Sequence, residues 1–329
     1  MNVKGIIAAI AIATLATSVQ AQTMCVFDLL GAQGDTYSMM KDYAVAAKQW
    51  GADITLRPYS DERVASEDFK AGQCDGVALT GLRARQFNSF TGSIDAIGGL
   101  QSYSAAKMII SLMGNPKLAP DMEQNGYEVA GVTTLGAAYI MVRDRRINTL
   151  AKAAGIRFGV LDYDKSQAIM VQKVGAQPVS VDLLTVGGKF NNGQIDAIAL
   201  PAVAFKPLEI YKGLGSKGAI IRSQILQVSG DIVIRPGKFP DGYGQKSRTW
   251  VAGQLGREMD IINRTEKAID PKYWLDIPAN EKVGYIKLMR EARISMTDEG
   301  IYNKKMMSIL KKVRCSQDPT SFECSIKGE

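Results

Sequence analysis

The 329-residue chain contains no histidine. That absence removes the Ser-His-Asp triad, the Cys-His dyad and every histidine-ligated metal site. Catalysis would have to rest on carboxylates, lysine or tyrosine, and no G-x-S-x-G nucleophile motif is present either. Aromatic residues are few, 7% of the chain, and they do not interleave with the basic ones. Lys and Arg outnumber Asp and Glu, 40 to 33, but they are scattered, with Lys304-Lys305 and Lys311-Lys312-Val313-Arg314 the main local clusters. Nucleic-acid binding is therefore not expected, and those clusters read as a solvated helical face. The Met pairs Met39-Met40 and Met306-Met307 read as core filler, not as a metal site. No cofactor, metal or catalytic residue is expected, and the chain reads as a binder rather than an enzyme.

Long apolar runs are equally scarce. Past the N-terminus no segment approaches the roughly 20 apolar residues of a membrane-spanning helix. The N-terminus itself has Lys4, a mostly apolar stretch over 5–16, and the small-x-small sequence Val19-Gln20-Ala21. This pattern predicts a secretory signal over 1–21, cleaved after Ala21. Gln22-Thr23-Met24 does not resemble a lipobox, so Cys25 is not expected to carry lipid. The mature chain is expected to be a soluble, exported monomer, with a bacterial periplasm as its address. Its length fits two domains, and 46% hydrophobic with 22% charged residues is ordinary for a globular protein.

What is present is a repeat. Phe69-Lys70-Ala71-Gly72-Gln73-Cys74-Asp75-Gly76-Val77-Ala78-Leu79 is echoed by Phe190-Asn191-Asn192-Gly193-Gln194-Ile195-Asp196-Ala197-Ile198-Ala199-Leu200. Each copy follows a second echo, Lys48-Gln49-Trp50-Gly51-Ala52 and Lys173-Val174-Gly175-Ala176. A helix end, a Gly, a Gln, an Asp and then a buried strand, written twice, predict two lobes on one plan with a crevice between them. Asp75 and Asp196 precede buried strands at the end away from that crevice, so both are read as structural.

Apolar runs and breakers predict strands over 24–30, 54–56 and 76–79, separated by helices over 35–50 and 61–72. Asp35-Thr36 is expected to cap the first of these helices. The plan repeats with strands over 156–161, 178–181 and 195–200 and helices over 165–174 and 183–192. Strand segments over 127–132 and 138–142 are expected to cross between lobes, after a helix over 105–113, with 225–234 running back. One long helix is expected over 250–267. The fold class is therefore α/β, each lobe a mostly parallel sheet flanked by helices with right-handed crossovers. Lobe 1 is expected over 22–132 with a return segment over 226–267, lobe 2 over 133–225, and a helical tail over 268–329.

Four cysteines remain after signal removal, and in an oxidising compartment an even count argues for two disulfides. Cys25 and Cys74 open strands that neighbour each other in a doubly wound lobe, and Cys315 and Cys324 are close in sequence. The expected pairs are Cys25–Cys74 and Cys315–Cys324.

The echoed Gly-Gln-x-Asp, the step Leu150-Ala151-Lys152-Ala153-Ala154-Gly155-Ile156-Arg157 and Val174-Gly175-Ala176-Gln177-Pro178-Val179 together resemble periplasmic solute-binding proteins of TRAP transporters. More narrowly the chain is similar to the AdeT-type proteins, a group described as part of an RND drug-efflux system linked to aminoglycoside resistance. The resemblance implies a two-lobed periplasmic binding protein fold that closes over a small polar solute and hands it to an inner-membrane permease. It also implies an alternative, a periplasmic accessory of an RND-type efflux complex. The chain departs from the TRAP pattern in three places. Gly159 stands where an Arg usually holds a carboxylate, Leu200 before Pro201 stands where an Asn is common, and Gly136 is followed by Ala137-Ala138 rather than Arg. Weak or absent binding of simple monocarboxylates is therefore expected.

Ligands of open α/β lobes lie at the carboxyl ends of strands. That rule selects Gln33, Asp35 and Tyr37 after the first strand, beside a helix N-terminus that favours anions. It selects Thr80, Arg83 and Arg85 after the third strand, and Asp162 and Tyr163 in the second lobe, where Asp164 reads as a helix cap. Tyr139 on a crossing strand could stack on a ligand, and Arg157 lies two residues before Gly159.

Overall fold

A computed structural model describes residues 21–329, so the expected signal over 1–21 lies almost wholly outside the described residues. The first unit runs β1 (Gln22–Phe27), α1 (Asp35–Lys48), β2 (Ile54–Tyr59), α2 (Glu62–Lys70), β3 (Gly76–Thr80) and α3 (Gly81–Ala84). After α4 (Tyr103–Met113) and β4 (Glu123–Gln124), the chain enters β5 (Tyr127–Val142). The second unit comprises α5 (Leu150–Ala153), β6 (Arg157–Leu161), α6 (Lys165–Lys173), β7 (Gln177–Val181), α7 (Val186–Asn191) and β8 (Ala197–Pro201). Then follow α8 (Ile210–Leu214), β9 (Ala219–Ile234), α9 (Tyr243–Ala252), α10 (Leu255–Lys267), β10 (Trp274–Leu275), α11 (Lys282–Asp298), α12 (Lys304–Gln317) and α13 (Phe322–Ser325).

All strands join one sheet of order β2-β1-β3-β9-β5-β8-β6-β7, with β4 and β10 on its margins. β2-β1-β3 and β7-β6-β8 are parallel triplets with the same second-first-third order, so the sequence repeat is a repeat of topology. Between the triplets lie β9 and β5, antiparallel to each other and to β3 and β8 respectively. Each of these two strands has 16 residues, about 50 Å at the usual rise, which is long enough to run through both halves.

The two crossing segments expected over 127–132 and 138–142 are thus one continuous strand. Thr133, Thr134 and Gly136 between them carry little apolar signal, yet the β9 ladder holds them extended. The register of β5 against β9 shifts at four places, three of them within Thr134–Met141, and such bulges bend and twist a strand locally. The single helix expected over 250–267 is two, because the chain breaks at Gly253-Gln254. There the Gly253 N–H closes the α9 end onto Thr249 O and Trp250 O.

The duplicated Asp residues do the same job twice. Asp75 N–H donates to Thr23 O, and its carboxylate accepts from Thr23 N at 2.9 Å. Asp196 N–H donates to Arg157 O, and its carboxylate accepts from Arg157 N at 2.9 Å. Each clasp ties the third strand of its triplet to the first. Both expected disulfides are present, Cys25–Cys74 with Cα atoms 5.9 Å apart and Cys315–Cys324 at 5.6 Å. Among the described residues no helix is long and apolar enough to cross a membrane.

The core is largest where α2, α3, α4, α11 and α12 pack on the central strands, through Phe69, Phe87, Ile109 and Met306. The opposite face of the first unit is closed by α1 and α9, where Tyr43, Tyr243 and Ser247 link their hydroxyls inside an aromatic cluster.

Candidate functional site

The carboxyl ends of β1 and β3 face those of β6 and β8 across a cavity of about 300 Å³. Its walls come from both triplets, from the bulged stretch of β5 and from β9, with α10 and α11 adding one side. The lining is mostly aliphatic: Leu29, Leu79, Leu82, Met170, Leu183 and Leu200 are typical. The described lining residues include no Lys or Arg, and their acids are Asp28, Asp35, Asp231 and Glu258.

The loop after β1 shows why no anion site opens there. Asp28, buried at the strand end, accepts hydrogen bonds from the N–H groups of Leu30 (2.9 Å), Thr36 (2.9 Å) and Tyr37 (3.2 Å). A carboxylate of the chain therefore occupies the N-terminus of α1, with Gly34 as the N-cap residue. Gly34 permits this approach, since a Cβ there would lie 1.8 Å from Asp28 Oδ1. The cap expected from Asp35-Thr36 is thus supplied by Asp28, which reaches the free N–H groups from across the loop. Asp35 instead pairs with Arg264 at 3.0 Å while lining the cavity rim. Gln33 is exposed, and Tyr37 sits under the Lys41 ammonium, 5.2 Å from its ring centroid. Neither lines the cavity.

After β3 the expected cations are committed to carboxylates. Glu62, 2% exposed, accepts from Thr80 N (2.7 Å), Thr80 Oγ1 (2.6 Å), Arg83 Nε (3.1 Å) and the Tyr163 hydroxyl (3.0 Å). Burial raises the Glu62 carboxyl above its usual range, opposed by Thr80 and Arg83. The Arg83 guanidinium also lies 3.7 Å from the Tyr163 ring centroid. Arg85 donates to Asp164 Oδ1 at 3.0 Å and to Gly92 O at 2.8 Å. Thr80, Arg83, Arg85 and Tyr163 are thus brought together, but as a bridge between the halves. Asp164 caps α6 through Ser166 N, and Asp162 is exposed outside the cavity.

Two candidates point elsewhere. Tyr139 lies on the sheet face opposite Ala138 and Ile140, which line the cavity, so the two-residue pleat turns it away. Its hydroxyl donates to Glu266 Oε1 at 2.8 Å, and its ring meets Trp274 edge-on. Arg157 starts β6, at the end away from the crevice, and is held by Asp196 (2.6 and 3.0 Å) and Gly193 O (2.9 Å). It takes up the carboxylate of its own clasp and does not replace the guanidinium missing at Gly159. A Cβ at Gly159 would lie 2.7 Å from Ile195 Cδ1, so that position is filled from the core side.

Sequence reasoning missed Asp231 and Glu258. Asp231 follows Gly230 deep in an apolar strand, and Glu258 falls in the first turn of a helix, a place where acids are commonplace. Asp231, 1% exposed, accepts from Thr91 Oγ1 at 2.6 Å, and Glu258, 3% exposed, accepts from Thr134 N at 3.0 Å. Each has its other oxygen buried without a hydrogen-bond partner among the described residues. Burial pushes both carboxyls up to about 7.

Residues 44–329 match the family model described as solute-binding protein AdeT 1/2. The chain belongs to the AdeT 1/2 solute-binding protein family. It is 54% identical to the probable solute-binding protein AdeT1 of Acinetobacter baumannii over 303 residues, which cover 92% of this chain and all of that protein. Probable solute-binding protein AdeT2 of the same organism is 28% identical over 233 residues, 71% of this chain and 98% of that one. Solved TRAP periplasmic solute-binding proteins share the fold. One from Desulfovibrio salexigens with bound orotic acid has a TM-score of 0.75 at 14% identity, covering 90% of this chain and 99% of that one. One from Haemophilus influenzae with bound L-gulonate has a TM-score of 0.74 at 12% identity, covering 89% and 99%. The family is one of solute-binding proteins, and its two-lobed α/β architecture is the one the repeat predicts.

Proposed function

We propose that this protein captures a small polar solute between its two halves in the periplasm, after export by its N-terminal leader, and delivers it to a membrane transporter. The observation that carries this reading is the cavity walled by both triplets at the carboxyl ends of their strands. Capture proceeds by hinge closure, with lobes over 22–132 plus 226–267 and over 133–225. The tail over 268–329 touches both, since β10 pairs with Ile220 and Ile221 of β9 and α11 packs on α6, while α12 packs on α4. The boundaries fall inside β5 and β9, and the bulges of β5 supply the bend.

The TRAP proteins with orotic acid and L-gulonate hold acids. In this chain the guanidiniums near the cleft are engaged by Glu62 and Asp164, and Leu200, Pro201 and Ala138 supply aliphatic wall. The solute is therefore not a simple monocarboxylate. Native mass spectrometry of protein released from the periplasm without refolding tests the reading. A retained small molecule is expected. A clean mass with no thermal shift across acids, sugars and amines would leave a protein that docks without capturing.

A further inference from the structure

We propose that Glu258 anchors the cationic group of the solute, an alkylammonium or comparable organic cation, whose aliphatic body fills the rest of the cavity. This rests on the capture reading above and adds the chemical class of what is captured.

The four acids lining the cavity are not equivalent. Asp28 is saturated by three N–H groups, and Asp35 is paired with Arg264. Asp231 also has an idle oxygen, but it has hydroxyl donors nearby in Thr91 and Ser229 and feels the positive charge of Arg85. Among the described residues Glu258 has one backbone donor, Thr134 N–H, which fixes the carboxyl in place, and no salt-bridge partner; its second oxygen, Oε1, has no hydrogen-bond partner there. A buried carboxyl held in place with an idle acceptor is costly unless a partner arrives. An ammonium group is the partner that repays both charge and hydrogen bonding, and the absence of Lys and Arg from the described lining leaves that role to a ligand. Leu79, Leu82, Met170 and Leu183 suit an aliphatic body and give a sugar or polyacid few partners.

Calorimetry on the full mature chain with n-hexylamine, n-hexanol and n-hexanoate as probes tests the assignment. Hexylamine is expected to bind, and hexanol and hexanoate to bind at least roughly tenfold more weakly. Glu258→Gln keeps an acceptor for Thr134 N–H and is expected to melt no lower than the parent. It should lose roughly ten- to hundredfold in hexylamine affinity with hexanol unchanged. Ile261→Trp, one turn along the same face of α10, should weaken hexylamine and hexanol together. Equal affinity for amine and alcohol, tighter binding of hexanoate, or an unaltered Glu258→Gln would overturn the assignment. If hexylamine fails while the protein retains a solute in native mass spectrometry, the assignment falls and capture stands. If neither is seen, both fall.

Discussion

The Tyr163 hydroxyl, on the loop after β6, donates to Glu62 Oε2 on α2 at 3.0 Å, joining the two halves across the cleft. Arg83 lies against the same ring, and Arg85 makes a second crossing to Asp164. These contacts use the side chains that a TRAP-like reading would assign to the ligand. Tyr163→Phe removes the hydrogen bond and keeps the ring. A hydrogen bond to a carboxylate is worth about 1.5–3 kcal/mol, so the ratio of closed to open ligand-free protein should fall about tenfold or more. Small-angle scattering should then show a larger radius of gyration. Unchanged scattering would mean that these contacts do not hold the halves together.

Asp28 and Gly34 form one device. Asp28→Ala frees three N–H groups at the start of α1 and should cost about 1–2 kcal/mol of stability, the usual range for a lost cap. Gly34→Ala forces a methyl into the Asp28 carboxylate and should be at least as damaging. Denaturant titration with an unaltered slope would measure both. A neutral Gly34→Ala would show that the carboxylate does not sit over the helix end.

Stability should fall as pH rises from about 4 to about 7. Asp95, Asp231 and Glu258 are pushed up to about 7, mainly by burial, whereas the unfolded chain ionises them near the ordinary carboxylate value of about 4. Between those limits the folded state holds protons that the unfolded state has released, so each group subtracts up to about 1.4 kcal/mol per pH unit. Asp144, Asp196 and Glu329 are lowered and act in the opposite sense, but below this window. The melting temperature should be higher at pH 5 than at pH 7.5, and Glu258→Gln should flatten the slope. A rising profile over that range would contradict the burial of these acids.

Arg157→Ala should leave solute retention unchanged, because the side chain serves Asp196 and Gly193 at the far end of β6. Loss of the solute in native mass spectrometry would return Arg157 to the binding site.

The architecture was legible because it is local and repeated. Gly72-Gln73 and Gly193-Gln194 end helices, and Asp75 and Asp196 start buried strands, so the two triplets and both disulfides follow from reading along the chain. The continuity of β5 was not legible, since the ladder that carries Gly131 through Gly136 comes from residues nearly a hundred positions later. The site was half legible. Loop positions found Thr80, Arg83, Arg85 and Tyr163, but sequence cannot show that Glu62 gathers three of them. Glu258 and Asp231 were invisible because each is marked by a missing partner, and only three-dimensional packing reveals that.

A crystal structure of the protein purified from the periplasm with its retained solute tests capture most directly. Density for a small molecule is expected between Leu79–Leu82 and Leu183–Pro201, with Glu258 within hydrogen-bond distance of it. A cleft filled only by the protein's own side chains, or a solute bound on the outer surface, would contradict the account.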